Sequence, residues 1–254
     1  STPIKSSAAS DVYKRQGMDM DEKKRRYLLW ACCMVICLCV LHQGRAAETM
    51  LPVAEKTIVL DAGHGGWDPG KTGKTGVDEQ ELNLAIVKKL QAYLEQGGAR
   101  VYVTRGDGMA LGQSKQEDMR VRKEITNESG ADLLVSIHQN AFPSSSAKGA
   151  QVFYHSQSEE GKALAQCIQE SLRQRVDKEN TRQIKANSDY YILRTTQIPA
   201  ALVECGFLSN GAEEAKLNDD TYQEQMAWGI YCGILDYFAA KDGAGGLQLA
   251  EKRI

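Results

Sequence analysis

Short apolar runs alternate with longer amphipathic stretches through most of the chain. Five of the short runs are bounded by turn-forming residues, which predicts strands at Thr57–Leu60, Arg100–Thr104, Leu133–Ile137, Ala150–Tyr154 and Ala200–Val203. The longer stretches predict helices at Glu79–Gln96, Lys115–Ser129, Glu159–Val176 and Tyr222–Ala239. Strands that alternate with helices predict an α/β fold of three layers, α/β/α, with a mostly parallel, twisted sheet in the middle.

The two ends of the chain depart from this pattern. Residues 1–17 are polar, serine-rich and aperiodic, which indicates a non-native or disordered leader. Lys23-Lys-Arg-Arg26 precedes an uncharged, largely apolar run at 27–41, so residues 18–50 are predicted to be a signal peptide or an uncleaved membrane anchor. The basic flank would place the remainder outside the cytoplasm. A glycine-rich flexible tail is expected at 241–254 and the folded domain at 55–240.

Composition narrows the classes of function. The chain has 254 residues, a formal net charge of −2 and few aromatic residues, so there is no electrostatic case for a nucleic-acid partner. Four of the seven cysteines lie in the apolar run, and Cys167, Cys205 and Cys232 are widely spaced. No disulfide framework or zinc-finger spacing emerges, which agrees with an exported protein that does not depend on disulfides.

Two of the four histidines come at the ends of predicted strands. His64 lies in the glycine-rich turn Asp61-Ala-Gly-His-Gly-Gly66, and His138 lies in Ser136-Ile-His-Gln-Asn140. Ligand sites in open α/β sheets form at the carboxyl ends of the strands, and imidazole is a common zinc ligand. Both histidines are therefore candidate metal ligands, and a third ligand and a general base would be carboxylates.

Two glutamates are the carboxylate candidates. Glu79 opens the first predicted helix, where the helix dipole favours an acidic residue in any case, and Asp78 and Glu81 could take its place. Glu204 ends the apolar run 200–203, where a buried carboxylate is costly unless a cation or hydrogen-bond donors compensate. Capping a turn or pairing with a lysine is the alternative role for Glu204.

Taken in order, the four segments around these residues resemble the zinc-dependent N-acetylmuramoyl-L-alanine amidases of the type-3 family. The resemblance runs from about Lys56 to about Phe238. It implies one zinc ion per chain, held by His64, Glu79 and His138 at the carboxyl edge of the sheet, with Glu204 as the catalytic glutamate. The implied reaction is hydrolysis of the amide bond between N-acetylmuramic acid and L-alanine in peptidoglycan.

Further residues are candidates for supporting the site or contacting substrate. Asp61 is either an acceptor for the free N–H of a ligand histidine or a turn former. Asn140 either donates to substrate or caps a turn. Arg105 and Arg122 fall at family positions, where tying loops together is the alternative to touching substrate. Arg194 ends a polar and aromatic stretch, 187–194, that could line a groove for glycan or peptide.

With its compact length and its N-terminal segment, the chain resembles the sporulation members of the family. These enzymes trim stem peptides from spore cortex so that muramic-δ-lactam can form. A vegetative autolysin or cell-separation amidase is the alternative within the family. Two alternatives lie outside the family. One is a zinc carboxypeptidase, which uses the same types of metal ligand. The other is a wall-binding domain without catalytic activity, which would have no need of Glu204. The expected location is the outer face of the membrane, the cell wall or the spore envelope. Anchoring through 27–41 and a protein activator stay open.

Overall fold

The computed structural model describes residues 23–27, 29–31, 33–34 and 51–251, with side chains up to residue 243. The chain divides into two units, Ser1–Thr49 and Met50–Ile254, and the described residues of the first unit have helical backbone. The leader 1–17 and most of the segment 18–50 lie outside the described residues and stay predictions. Among the helices that are described, none is both long and apolar enough to cross a membrane.

One sheet of six strands forms the centre of the second unit. Its strands are β1 (Thr57–Ala62), β2 (Arg100–Val103), β3 (Leu133–Asn140), β4 (Gln151–Tyr154), β5 (Lys185–Ala186) and β6 (Ala200–Phe207). The spatial order is β2-β1-β3-β6-β4-β5. The first four strands in this order are parallel, while β4 runs antiparallel to β6 and parallel to β5. The prediction of a mostly parallel sheet is confirmed.

Helices cover both faces of this sheet. Those within residues 51–251 are α1 (Glu79–Gln96), α2 (Lys115–Glu128), α3 (Glu159–Arg175), α4 (Tyr191–Thr195), α5 (Gly211–Leu217) and α6 (Asp220–Glu251). Apolar residues of α1, α3 and α6 pack against one face, and residues of α2 and α4 pack against the other. The predicted three-layer α/β/α arrangement is therefore confirmed.

Side chains alternate between the two faces along each strand, and this alternation positions the polar residues. Leu134 of β3 and Leu202 of β6 are buried on the face that α2 and α4 cover. Because the side-chain period of a strand is two, His138 and Glu204 point to the same face as these leucines, further toward the carboxyl ends. The polar residues thus extend an apolar row to the edge of the sheet.

Strands β3 and β6 are longer than predicted, so His138 and Glu204 lie inside strands rather than after them. Their Cα atoms are direct partners in the parallel pairing of β3 with β6, and the register shifts only between His138 and Asn140. Backbone hydrogen bonds of a ladder do not depend on side-chain polarity, which is why the ladder continues past the end of the apolar pattern.

Three short elements were not predicted: β5, α4 and α5, which have two, five and seven residues. Such lengths give no measurable periodicity. At the other end, the backbone of α6 stays helical to Glu251, beyond the predicted helix end at Ala239. The flexible tail at 241–254 stays a prediction, since side chains beyond residue 243 are outside the described part.

Candidate active site

Three candidate metal ligands meet at the carboxyl edge of the sheet. His64 follows β1, Glu79 is the first residue of α1 and His138 is in β3; each offers one ligand atom, and these atoms lie within 4.8 Å of one another. Oε1 of Glu79 is 3.3 Å from Nε2 of His64 and 3.0 Å from Nδ1 of His138. Two imidazoles and one carboxylate form a ligand set used by catalytic zinc sites, with one position left for water.

The backbone of the turn after β1 is shaped around these ligands. His64 has a φ of 63°, in the left-handed region that non-glycine residues rarely adopt. The guanidinium of Arg122 donates to the His64 carbonyl at 2.6 Å, and Oδ2 of Asp68 lies 2.9 Å from the His64 Nδ1. Both ends of His64 are therefore held, and its Nε2 is the nitrogen left for a metal.

Two glycines are required by the close approach of the backbone to the ligands. A Cβ atom at Gly63 would overlap the imidazole of His138. At Gly70, where φ is 70°, a Cβ atom would lie 2.6 Å from Oε2 of Glu79 and 2.8 Å from the His64 ring. Any larger residue at these positions would have to displace a ligand.

Glu79 is buried and held by backbone donors. The N–H of Lys71 donates to its Oε2 at 2.9 Å, and the N–H of Gln139 donates to its Oε1 at 3.0 Å. Burial raises the pKa of the Glu79 carboxyl, but hydrogen bonds and charge from His138 and His64 outweigh burial and hold the pKa well below its usual range. Glu79 is thus ionised and directed at the space between the imidazoles.

Glu204 lies beside this cluster in a different environment. The residue is only 8% exposed, and its Oε2 has no hydrogen-bond partner among the described residues. Burial raises the pKa of the Glu204 carboxyl to about 7, an effect that the nearby His138 opposes. A carboxyl with a pKa near neutrality is suited to both accepting and donating a proton. None of the ion pairs in the described part of the chain joins Glu204 to a lysine.

Asp61 holds an arginine rather than a histidine. Its carboxylate accepts hydrogen bonds from Arg122 at 2.7 Å, Ser136 at 2.6 Å and Thr104 at 2.7 Å. Burial raises the pKa of Asp61, but Arg122 and the two hydroxyls outweigh burial and lower the pKa to about 2. The carboxylate beside the His64 ring is Asp68, which sequence reasoning missed. Its position four residues after His64, in the same turn, was the available signal.

Arg105 ties loops together. Its guanidinium donates to four carbonyl groups, those of Ala62, Gly63, Asp107 and Gln80, at 2.7–3.0 Å. Burial lowers the pKa of Arg105 to about 10. The side chain thus joins the end of β1 to the first turn of α1, which holds His64 and Glu79 in a fixed position relative to each other.

A cavity of about 510 Å³ opens over the cluster and includes Glu204 in its lining. Asn140 also lines it, and its contact with substrate stays a prediction. From the stretch 187–194, the lining residues are Asp189, Tyr190, Tyr191 and Ile192. Arg194 is not among them: it is exposed, and its guanidinium lies 5.9 Å from the centre of the Tyr191 ring. Four residues of the predicted stretch thus line the cavity and Arg194 does not, while contact of the stretch with substrate stays a prediction.

The family model for N-acetylmuramoyl-L-alanine amidases of type 3 matches residues 58–236 of the chain. The chain belongs to this family. The germination-specific N-acetylmuramoyl-L-alanine amidase of Bacillus subtilis (strain 168) is 38% identical over 199 residues, which cover 75% of this chain and 83% of that protein. The amidase class predicted from the four motifs is therefore confirmed.

Solved structures of the family share the fold. The CwlD amidase from Clostridioides difficile, solved in complex with the GerS lipoprotein, has a TM-score of 0.71 and 45% identity, and the match covers 73% of this chain and 100% of that chain. An N-acetylmuramoyl-L-alanine amidase from Clostridium difficile 630 has a TM-score of 0.68 and 37% identity, covering 74% of this chain and 98% of that chain. Each match therefore covers about three quarters of this chain and nearly all of the solved chain.

Proposed function

We propose that this amidase holds one zinc ion between His64, Glu79 and His138 and uses Glu204 to move protons during hydrolysis of the bond between N-acetylmuramic acid and L-alanine. The observation that carries the proposal is the gathering of the three ligand atoms within 4.8 Å. The donor set fits the ion, because Glu79 is ionised and its Oε1 already faces a nitrogen of each histidine. When bound, zinc supplies a lowered pKa for water and polarisation of the amide carbonyl.

Residues of the chain carry out the proton transfer and hold the metal ligands in place. Glu204, whose Oε2 has no hydrogen-bond partner among the described residues, accepts a proton from the attacking water and donates it to the amine of L-alanine as that amine leaves. Asp68 and Arg122 hold the ring and the carbonyl of His64, so the ligand does not rotate during the reaction.

Digestion of purified peptidoglycan tests the bond that is cut. The expected products are intact stem peptides with a new L-alanine amino terminus, detected by mass spectrometry. Metal analysis of the purified enzyme should find one zinc ion per chain, and a chelator should abolish activity until zinc is restored. Products cut within the stem peptide would instead identify a zinc peptidase.

The biological role proposed here is stem-peptide removal in spore cortex, which lets muramic-δ-lactam form. Its support is the similarity to the germination-specific amidase of Bacillus subtilis. Spores that lack the gene should contain cortex without muramic-δ-lactam, and the Glu204→Gln variant should not restore it. Normal cortex combined with chained, unseparated cells would indicate the vegetative role.

Export through the segment 18–50 and a lipoprotein partner complete the proposal. The Clostridioides difficile relative was solved with a lipoprotein bound. A lipoprotein partner would act outside the cytoplasm, where peptidoglycan is found. The test is to measure amidase rates of the purified chain with and without the corresponding lipoprotein of its own organism; equal rates would argue against an activator.

A further inference from the structure

Two lysines line the catalytic cavity, and neither forms an ion pair among the described residues. Lysine ion pairs in the described part of the chain are formed by Lys56, Lys89 and Lys241. Lys71 and Lys115 line the cavity and form no ion pair there. An exposed lysine beside a substrate site is available to a negatively charged group of the substrate, and the position of each lysine decides which group it can reach.

Lys71 is the lysine that is anchored to the metal cluster. Its backbone N–H donates to Oε2 of Glu79 at 2.9 Å, so its Cα is held next to a ligand while its side chain is exposed. The loop that follows is also held, because the N–H and hydroxyl of Thr75 donate to Glu214 at 2.7 Å and 2.8 Å. The ammonium group therefore extends from a fixed backbone position at the edge of the reaction centre.

A second depression of about 380 Å³ adjoins the cavity at Lys71, which lines both. Its walls are the loop 71–74 and the segments that follow β3 and β6, including Ser145 and Ser209. Except for Lys71 and Lys74, its lining side chains are uncharged, and an extended peptide that left the cavity here would pass directly over Lys71.

We propose that the stem peptide of the substrate leaves the cavity along this depression and that Lys71 binds the free α-carboxylate of its second residue, D-isoglutamate. The inference rests on the proposed function, because it takes the scissile amide to lie at the cluster of His64, Glu79 and His138. This carboxylate is one to two residue lengths, about 4–7 Å, from the scissile nitrogen. The flexible four-carbon stem of lysine covers such distances, and in D-isoglutamine the charge is absent.

The experiment compares two substrates on the full-length, zinc-loaded enzyme. They are glycan oligomers whose stem peptides carry either D-isoglutamate or D-isoglutamine, and the measured quantity is the ratio of their kcat/KM values. The wild-type enzyme should prefer the carboxylate form, and Lys71→Met should lower the ratio roughly fivefold, the upper range for a solvent-exposed ion pair. Lys71→Arg should keep most of the preference, and added salt should weaken it in the wild type.

Lys115→Met is the matched control on the other lysine of the cavity. It should leave the ratio unchanged, and zinc content should be the same in all variants. An equal loss on both substrates in Lys71→Met, a wild-type ratio near one, or a ratio lost in Lys115→Met instead would overturn the assignment. Failure of the proposed function is separable, because the wild-type enzyme would then release no peptide with a new L-alanine amino terminus from either substrate.

Discussion

Glu79 and Glu204 are both buried glutamates at one sheet edge, yet their surroundings give them opposite protonation behaviour. Glu79 faces two imidazoles and two backbone N–H donors, whereas Glu204 has an oxygen without a partner among the described residues. A carboxylate held ionised is suited to bind a cation, and a carboxyl that titrates near pH 7 is suited to transfer protons. Substitutions at the two positions therefore distinguish the role of metal ligand from the role of general base.

Glu204→Gln should lower turnover by roughly 10²–10⁴-fold, the usual contribution of general acid–base catalysis, while zinc stays bound. Glu79→Gln should lose zinc as well as rate, because an amide is a poor replacement for an ionised ligand. Metal content and rates of peptide release, measured on the same preparations, give both results. Zinc lost in Glu204→Gln but kept in Glu79→Gln would reverse the assignment.

Asp61 contributes to stability in a pH-dependent way. Its folded-state pKa of about 2 lies below the ordinary 3.8, so its ion pair with Arg122 stabilises the fold above about pH 4 and is lost as the pH falls toward 2. The shift corresponds to about 2 kcal/mol at neutral pH. In urea unfolding, Asp61→Asn should therefore be less stable than the wild type by at least about this amount at pH 7. A gap that does not narrow between pH 4.5 and pH 3 would contradict this role.

At the scale of elements, the sequence predicted the helices and strands that are long enough to show a regular apolar pattern. Three of the four long helices and three of the five strands form close to their predicted bounds, whereas the backbone of α6 continues to Glu251. Helix α2 forms as predicted although its buried residues are polar: Asp118, Arg122 and Thr126. The lengths of β3 and β6 were underestimated, since pairing with a neighbouring strand continues where the apolar pattern stops. Asp68 and Lys71 were missed because loop residues acquire their contacts only from the tertiary structure.

The turn after β1 carries the testable prediction at this scale. Gly63→Ala places a methyl group against the His138 ring, so zinc affinity and activity should fall together while the fold is retained. Gly211→Ala is the matched control, since its Cβ would meet open space. Zinc titration and circular dichroism of both variants provide the measurement. Unchanged zinc affinity in Gly63→Ala would show that the turn can adjust without moving the ligand.

At the scale of the whole molecule, the order of four motifs predicted the family, and the family determined the fold and reaction class. All site residues described here belong to the unit Met50–Ile254. A chain that starts at Met50 should therefore cleave soluble peptidoglycan fragments at the full-length rate. Export and membrane association, followed by cell fractionation, should be lost with residues 1–49. A truncated chain that folds but does not cleave would show that the first unit contributes to catalysis.

The pairing of β3 with β6 has a consequence for when the enzyme becomes active. His138 and Glu204 are far apart in the chain and become neighbours only through this pairing. Contacts between such distant segments form late, because the entropy of closing the intervening loop must first be overcome. His64 and His138 are also far apart in the chain, so the ligand set and the base are both assembled only when β1, β3 and β6 have paired. A chain in which these three strands have not yet paired is therefore expected to have no amidase activity, since the metal ligands and the catalytic glutamate are still apart.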